Sequence, residues 1–169
     1  MESPTTFLRE NTTHNIVFAG QVLCYTVKNV KTAFPIKVDK YDKLNASFSI
    51  DSNSELLGFI SIIENQLKEH MIEKYHKMYV LKSCISEKFN KYKSKNNYSN
   101  KNNSKILKTK IEKGITEFVV INPENGAEQY ITYDLVPYRP LDIDIELNQY
   151  WCVDDTIGIT WLLKKITIA

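Results

Sequence analysis

The segment 141–147 alternates aliphatic and acidic side chains without a break, with Asp142, Asp144 and Glu146 at every second position. Side chains on a β-strand point alternately to opposite faces, so this segment predicts a strand with one aliphatic and one wholly acidic face. The aliphatic face requires an apolar layer to cover it. A chain of 169 residues, 43% of them hydrophobic, provides one domain with a sizeable core.

Six further segments have the composition and alternation of strands. They are residues 16–31, 46–50, 107–111, 118–121, 129–133 and 159–168. In 107–111, Lys108 and Lys110 share the face opposite to the apolar positions. Residues 122–126 predict a hairpin turn, because an Asn-Gly pair adopts the positive φ values that such turns need.

One principal helix is predicted between about Ser54 and His76. Residues 52–55 have the pattern of a capping box, in which a Ser hydroxyl and the Glu55 carboxylate accept hydrogen bonds from the first free amides. Apolar residues then recur at spacings of three and four, which predicts one buried face. They are Leu56, Ile60, Ile63, Leu67 and Met71.

The predicted elements are seven strands and one helix, with no internal repeat. Strands and helices do not alternate, so a Rossmann-like fold is disfavoured. We therefore predict a mainly β (α+β) fold, a β-barrel with one principal helix. Residues 1–14 are interpreted as a polar N-terminal arm and residues 15–169 as a single domain, with a long, mobile Lys/Asn-rich loop at about 90–105.

The charge is concentrated in one part of the chain. The net charge is only +2, yet residues 70–113 hold twelve lysines and three glutamates, a net charge of +9, which leaves −7 for the rest. Five tyrosine and phenylalanine residues are interspersed between residues 75 and 98. Such a stretch can neutralise phosphates and stack bases. A solvated Lys/Asn loop explains it as well, and the composition leaves both interpretations open.

The sequence contains no recognised catalytic constellation. Phosphate-binding glycine loops, zinc-protease motifs and nucleophile elbows are absent. His70 and His76 are interpreted as polar residues of the helix end, since a spacing of six does not place them on one helix face. The acidic face of 141–147 could hold a divalent metal, but a water-facing strand explains it equally well. We predict no enzymatic activity, no metal and no cofactor.

The cysteines indicate a reducing compartment. Cys24, Cys84 and Cys152 are odd in number and far apart, without CxxC or nearby His, which disfavours disulfides and zinc.

No run of 18 to 20 apolar residues and no signal-peptide pattern occurs, so no membrane association is expected. The expected location is intracellular and, for a viral protein, the host nucleus or a cytoplasmic replication site.

The last third of the sequence resembles a known family. A strand that ends in Tyr150 and Trp151, a short acidic turn, and a strand that begins at Gly158 with Lys164 and Lys165 at its centre are together similar to the end of viral and phage single-stranded DNA-binding proteins. These include the phage T7-like type and binding proteins of several large DNA viruses. The resemblance implies an OB-like barrel that binds single strands without strong sequence preference.

The resemblance covers about residues 105–168, and the segment 107–111 is similar to an earlier basic strand of the same proteins. Residues 39–48 show a weaker similarity. Phage members typically end in an acidic tail that recruits replication partners. This sequence ends at Ala169 directly after a predicted strand, so we do not expect that recruitment here.

We predict a sequence-nonspecific single-stranded DNA-binding protein that protects or organises single strands during viral DNA replication or recombination. Lysines would contact phosphates and aromatic rings would stack on bases. The predicted nucleic-acid-binding residues are Lys82, Lys91, Lys93, Lys105, Lys108, Lys110, Tyr130, Tyr133, Trp151, Trp161 and Lys165. Expected partners are single-stranded DNA, with RNA as the alternative, other copies of the chain and replication proteins.

Large aromatic residues also fill small cores, so Trp151 and Trp161 have a competing structural interpretation. Strict alternation along 159–168 groups Trp161 with Lys165, which predicts Trp161 as the less buried of the two. Two other classes of function stay open. One is a viral structural or oligomeric protein without nucleic-acid binding, and the other is an adaptor whose acidic strand face meets a basic partner.

Overall fold

The computed structural model describes residues 6–8, 16–18, 23–51, 53–89 and 103–169. Most of the predicted N-terminal arm lies outside these ranges, but residues 6–8 form a strand. Most of the predicted basic loop, with Lys91 and Lys93, also lies outside the described residues.

The described residues form one long helix, α1 (Ser54–Tyr75). The strands are β1 (Thr6–Leu8), β2 (Ile16–Phe18), β3 (Cys24–Thr32), β4 (Lys37–Val38), β5 (Leu44–Ser49), β6 (Val80–Leu81), β7 (Ile85–Phe89), β8 (Asn103–Lys110), β9 (Glu117–Ile121), β10 (Glu128–Tyr130), β11 (Leu141–Val153) and β12 (Thr156–Ile168).

Five of these strands close into a circuit of pairing. β12 pairs with β11, β11 with β3, β3 with β5 and β5 with β8, all antiparallel. β8 returns to β12 in parallel through Thr109 opposite Trp161 and Lys110 opposite Leu162. A five-stranded, partly open barrel of this kind is OB-like. The prediction of an OB-like β-barrel with one principal helix is confirmed.

The core lies inside the barrel and under the helix. The four aliphatic residues of 141–147 are buried, while the acidic residues between them are half-buried. All five residues of the predicted helix stripe are buried too. Each such side chain contributes about 1.5–3 kcal/mol when fully removed from water, so these two faces account for much of the folding free energy.

The start of α1 differs from the capping-box prediction by one residue. The N-cap is Asn53, whose Oδ1 accepts a hydrogen bond from the backbone N–H of Leu56 at 2.9 Å. The helix ends at His76, which adopts a left-handed conformation (φ 51°) and donates its N–H to the Ile72 carbonyl. An Asn side chain caps as well as Ser, which explains why the boundary was right although the capping residue was wrong.

β12 contains the clearest departure from simple alternation. The pairing with β11 shifts between Asp144–Lys165 and Ile145–Leu163, so Lys164 is an extra residue, a β-bulge. Because of this extra residue, each residue of β12 before Lys164 lies on the face opposite to the one that strict alternation from Lys165 would give it. Trp161 therefore points inward and is 0% exposed, and the expectation that it is the less buried tryptophan was wrong.

Several predicted boundaries change. Residues 103–105, assigned to the basic loop, are the start of β8. The strand predicted at 129–133 ends at Tyr130, and Tyr133 begins a single 3₁₀ turn. β11 is 13 residues long and continues through the predicted strand end into a hairpin with β12, where Asp154 has a positive φ of 53°. That turn was predicted from its two aspartates.

Candidate nucleic-acid interface

Several parts of the fold meet on one side of the barrel: the turn between β4 and β5, the β6–β7 segment, β8 with the turn that follows it, the 3₁₀ turn at Tyr133, and the β11–β12 hairpin. They enclose a groove of about 1030 Å³, which we call the basic groove. Five lysines and three aromatic residues are among its lining. They are Lys43, Lys82, Lys108, Lys110, Lys113, Tyr41, Tyr133 and Trp151.

The charge of the basic groove is positive. Asp39, Asp42 and Glu112 also line it, so five lysines face three carboxylates, an excess of two positive charges. Among the described residues, the ion pairs within 4.0 Å involve other lysines, namely Lys77, Lys164 and Lys165. In this described part of the chain, the ammonium groups of the groove are therefore not held in such ion pairs, although the charge of Lys108 acts on Asp39.

Lys108 and Lys110 extend from a firmly held part of β8. Both are exposed, while Thr109 between them is buried and donates its hydroxyl to the Ala46 carbonyl at 2.8 Å. Their neighbours across β5 are Ser47 and Asn45, short polar side chains that leave the face open. The alternation predicted for this strand is confirmed.

Asp39 shapes the rim of the groove next to Tyr41 and Lys43. Its carboxylate accepts backbone N–H bonds from Tyr41 at 2.8 Å and Lys43 at 2.9 Å, and one from the Asn45 amide at 3.1 Å. The hydrogen bond from the Lys43 amide is the largest cause that lowers the pKa of Asp39, followed by that from Tyr41, because both stabilise the charged form. Tyr41, 69% exposed, is thereby held at the mouth of the groove.

The backbone around Lys82 is held in place by hydrogen bonds to β12 and to the helix. Its backbone N–H donates to the Ile157 carbonyl at 2.8 Å. Glu64, buried on α1, accepts hydrogen bonds from the Ser83 hydroxyl at 2.7 Å and the Cys84 N–H at 2.9 Å. Burial, with the Glu64 charge next in size, raises the pKa of Cys84 to about 12, so this thiol stays protonated and is no nucleophile at neutral pH.

The structure brings together Lys82, Lys108, Lys110, Tyr133 and Trp151 from the predicted set. The remaining described ones lie elsewhere. Trp161 is in the core, and Tyr130 is exposed on β10 outside the groove.

Two predicted lysines are also displaced from the groove. Lys165 lies on β12 beyond the bulge, where its Nζ is 2.9 Å from the Glu128 carboxylate. Lys105 is half-buried on β8, and its N–H donates to Asp51. Lys165 lies far along β12, where this strand pairs with β9, and Lys105 lies near the start of β8. An alternating pattern indicates the face on which a residue lies, but not its distance from the groove along the strand.

Sequence reasoning missed Tyr41, Lys43 and Lys113 as groove residues. The signal for the first two was present, because residues 39–48 showed a weaker similarity to the same family. No pattern in the sequence distinguishes Lys113, which follows β8 in a turn.

The acidic face of β11 is satisfied within the fold. Asp144 accepts the Thr26 hydroxyl at 2.6 Å, Asp142 accepts the Asn29 N–H at 3.0 Å, and Glu146 lies 3.6 Å from Lys164. In the described ranges, no three His, Cys, Asp or Glu side chains are grouped as metal ligands would be. No helix there is both long and apolar enough to cross a membrane.

The barrel strands in chain order are β3, β5, β8, β11 and β12. In OB folds, oligonucleotides and oligosaccharides bind across the second and third strands, between the loops that join strands one to two and four to five. The basic groove occupies this position, since it is lined from the β3–β5 connection, β5, β8 and the β11–β12 hairpin. Fold and groove together define an OB-like domain with a basic, aromatic-lined groove.

Comparison with solved structures agrees with this class. The fold is similar to that of the single-stranded DNA-binding protein from bacteriophage Enc34, with a TM-score of 0.55, 9% sequence identity, and coverage of 97% of this chain and 89% of that one. The same phage protein in complex with single-stranded DNA matches with a TM-score of 0.52 at 9% identity, over 98% and 95% of the two chains. Its C-terminal truncation matches with a TM-score of 0.52 at 11% identity, over 97% and 92%. No protein-family model and no curated protein matches the sequence.

Proposed function

We propose that this protein binds single-stranded DNA, without strong sequence preference, along the basic groove. One observation carries the proposal: five lysines and three aromatic side chains that are distant in sequence line a single groove at the ligand-binding position of an OB-like barrel. Lysines contact phosphates of any sequence, and every base offers a ring face for stacking, so this composition favours nonspecific binding.

Charge distinguishes a nucleic acid from the other ligand class of OB folds. An oligosaccharide is mostly uncharged and gains little from lysines, whereas each neutralised phosphate releases a counterion. The similarity to a phage protein solved with single-stranded DNA supports the same choice. We propose that the role is to protect or organise single strands during viral DNA replication or recombination, in a reducing intracellular compartment and without catalysis.

Fluorescence anisotropy with labelled oligothymidylate tests the proposal. We expect binding that weakens as salt rises, with a negative slope of log K against log salt, since counterions are released on binding. A hairpin duplex of equal charge, measured at the same salt, should bind more weakly because its bases are not free to stack.

Two outcomes would contradict the proposal. Equal affinity for the duplex at matched salt would mean that the groove contacts only phosphates. No binding at low salt, or binding without salt dependence, would favour the alternative of a structural or oligomeric protein, whose apolar contacts do not weaken with salt.

A further inference from the structure

The side chain of Trp151 on β11 lies over Gly158 on the neighbouring strand β12. The two residues are directly opposite in the antiparallel pairing of β11 and β12, so their positions belong to the same face of the sheet. A Cβ atom on Gly158 would stand 2.4 Å from Cζ2, 2.5 Å from Cε2 and 2.7 Å from Nε1 of the indole. Real side chains do not approach so closely, so the ring occupies the space of the missing side chain.

The backbone gives no other reason for glycine at this position. Gly158 lies within a regular strand and, unlike Gly114 and Gly126, has no positive φ. Any residue can adopt its conformation. The three atoms nearest to a side chain at this position all belong to the indole, and Gly158 is buried.

The neighbouring positions on this face make a suitable surround for a base. Toward the middle of the groove, Gln149 pairs with Thr160, and both line it. Toward the hairpin tip, Val153, Thr156 and Val80 form one row across β11, β12 and β6. Val80 and Val153 are 66% and 62% exposed. The indole therefore lies between a polar row and an exposed apolar row.

We infer that Gly158 is a positioning residue that seats the Trp151 indole against β12, and that one unpaired nucleobase stacks on the seated ring. The inference rests on the proposed function, since it places a base in the basic groove. A side chain at 158 would displace the ring outward into the groove, where a base can no longer stack on it in the same place. Gly158 itself touches no DNA.

The two tryptophans make the inference directly measurable. Trp161 is 0% exposed in the core and cannot contact a base, whereas Trp151 lines the groove. Saturating unlabelled oligothymidylate is expected to quench part of the tryptophan emission of the unsubstituted protein. In Trp151→Phe, where only Trp161 emits, the quenching is expected to disappear.

Affinity for labelled oligothymidylate then tests Gly158. Base stacking on an aromatic residue is worth about 1–3 kcal/mol, so Trp151→Ala should weaken binding about fivefold or more. Gly158→Ala should weaken it by roughly threefold or more, and the double variant should bind like Trp151→Ala, because Gly158 acts only through the indole. Gly58→Ala is the matched control: this exposed helix position has open space around it, and affinity should not change.

The outcomes separate the two proposals. If the unsubstituted protein does not bind, the proposed function is wrong and the inference falls with it. If it binds but its emission is not quenched, or if Gly158→Ala binds normally or adds its full loss to that of Trp151→Ala, only the inference is overturned. Should Gly158→Ala be too unstable to measure, the double variant, without the indole, is expected to fold and to bind like Trp151→Ala, and weaker binding would contradict the inference.

Discussion

Lysines on this surface differ in how firmly the fold holds them. Lys108 and Lys110 are fixed to β8 on either side of a buried, hydrogen-bonded threonine. A lysine on a rigid strand loses only side-chain freedom when it contacts a phosphate, whereas a lysine on a mobile segment loses backbone freedom as well. We therefore expect the strand lysines to contribute more per residue to binding than lysines on loops.

Replacing Lys108 and Lys110 together by Gln should weaken binding of oligothymidylate several-fold. The magnitude of the salt slope should decrease by roughly one to two units. Each phosphate contact that is lost means that about one counterion fewer is released on binding. The control is the double replacement of Lys164 and Lys165 by Gln, which removes the same charge outside the groove. Anisotropy titrations at several salt concentrations measure both quantities. An equal loss in the two double variants would mean that net charge, not the groove, determines binding.

Asp39 makes the rim of the groove sensitive to acid. Its folded-state pKa lies below the ordinary value of 3.8, so it binds protons more weakly in the folded rim than in an unfolded chain. The stabilisation of the rim is complete above the ordinary value and is lost as the pH falls through the lowered pKa. The amide proton shifts of Tyr41 and Lys43, followed by NMR, should change together below pH 3.8 and stay constant above it. In Asp39→Ala this transition should be absent, and a transition that persists would assign it to another group.

At the scale of elements, α1 serves the groove without lining it. Its buried carboxylate, Glu64, holds the segment Ser83–Cys84, and Lys82 directly precedes that segment. The helical spacing of apolar residues predicted the buried face, but it did not predict that Glu64 is buried as well. To predict that a buried carboxylate accepts two hydrogen bonds, one must know which segment lies opposite to it. The apolar spacing of the helix alone does not contain this information.

Glu64→Ala should lower the free energy of unfolding by about 1–3 kcal/mol, since the Ser83 hydroxyl and the Cys84 N–H lose their buried acceptor. Glu64→Gln keeps one carbonyl acceptor and should lose less. Urea denaturation followed by circular dichroism gives these values. The matched control is Glu69→Ala on the exposed face of the same helix, expected to change stability by less than about 0.5 kcal/mol. Equal effects at the two positions would argue against a structural role for the buried carboxylate.

The strands show where sequence patterns suffice. Alternation predicted the faces of β8 and of the first half of β11, because both are regular and one face meets the core. It failed on β12, where the bulge at Lys164 changes the phase of the alternation. A bulge is imposed by the pairing with β11, so its position depends on the partner strand as much as on the strand that contains it.

For the whole molecule, the same sheet serves two purposes on its two faces. Inward positions of β8, β11 and β12 contribute to the core, and some of their outward positions line the basic groove, namely Lys108, Lys110, Gln149, Trp151 and Thr160. The fold class could be predicted, because seven strand patterns and one amphipathic helix leave few architectures. The groove could be predicted only in part, since its lining residues lie between positions 38 and 160, and whether they meet depends on the strand order of the barrel.

Because the core and the groove lie on opposite faces of the sheet, we predict that replacing a tryptophan by phenylalanine has different effects at the two sites. In the core the replacement changes stability, and in the groove it changes the contact with DNA. Trp161→Phe removes packed volume from a fully buried site and should lower the free energy of unfolding by about 1–3 kcal/mol, while oligothymidylate affinity below the melting temperature stays within about twofold. Trp151→Phe changes a half-buried ring in the groove and should alter stability by less than about 0.5 kcal/mol while it abolishes the quenching by DNA. Urea titration measures the stability of both variants, anisotropy measures the affinity of Trp161→Phe, and tryptophan emission measures the quenching in Trp151→Phe. If Trp161→Phe weakens binding by clearly more than about twofold, the core and the groove are coupled and the inward and outward faces of the barrel do not act independently.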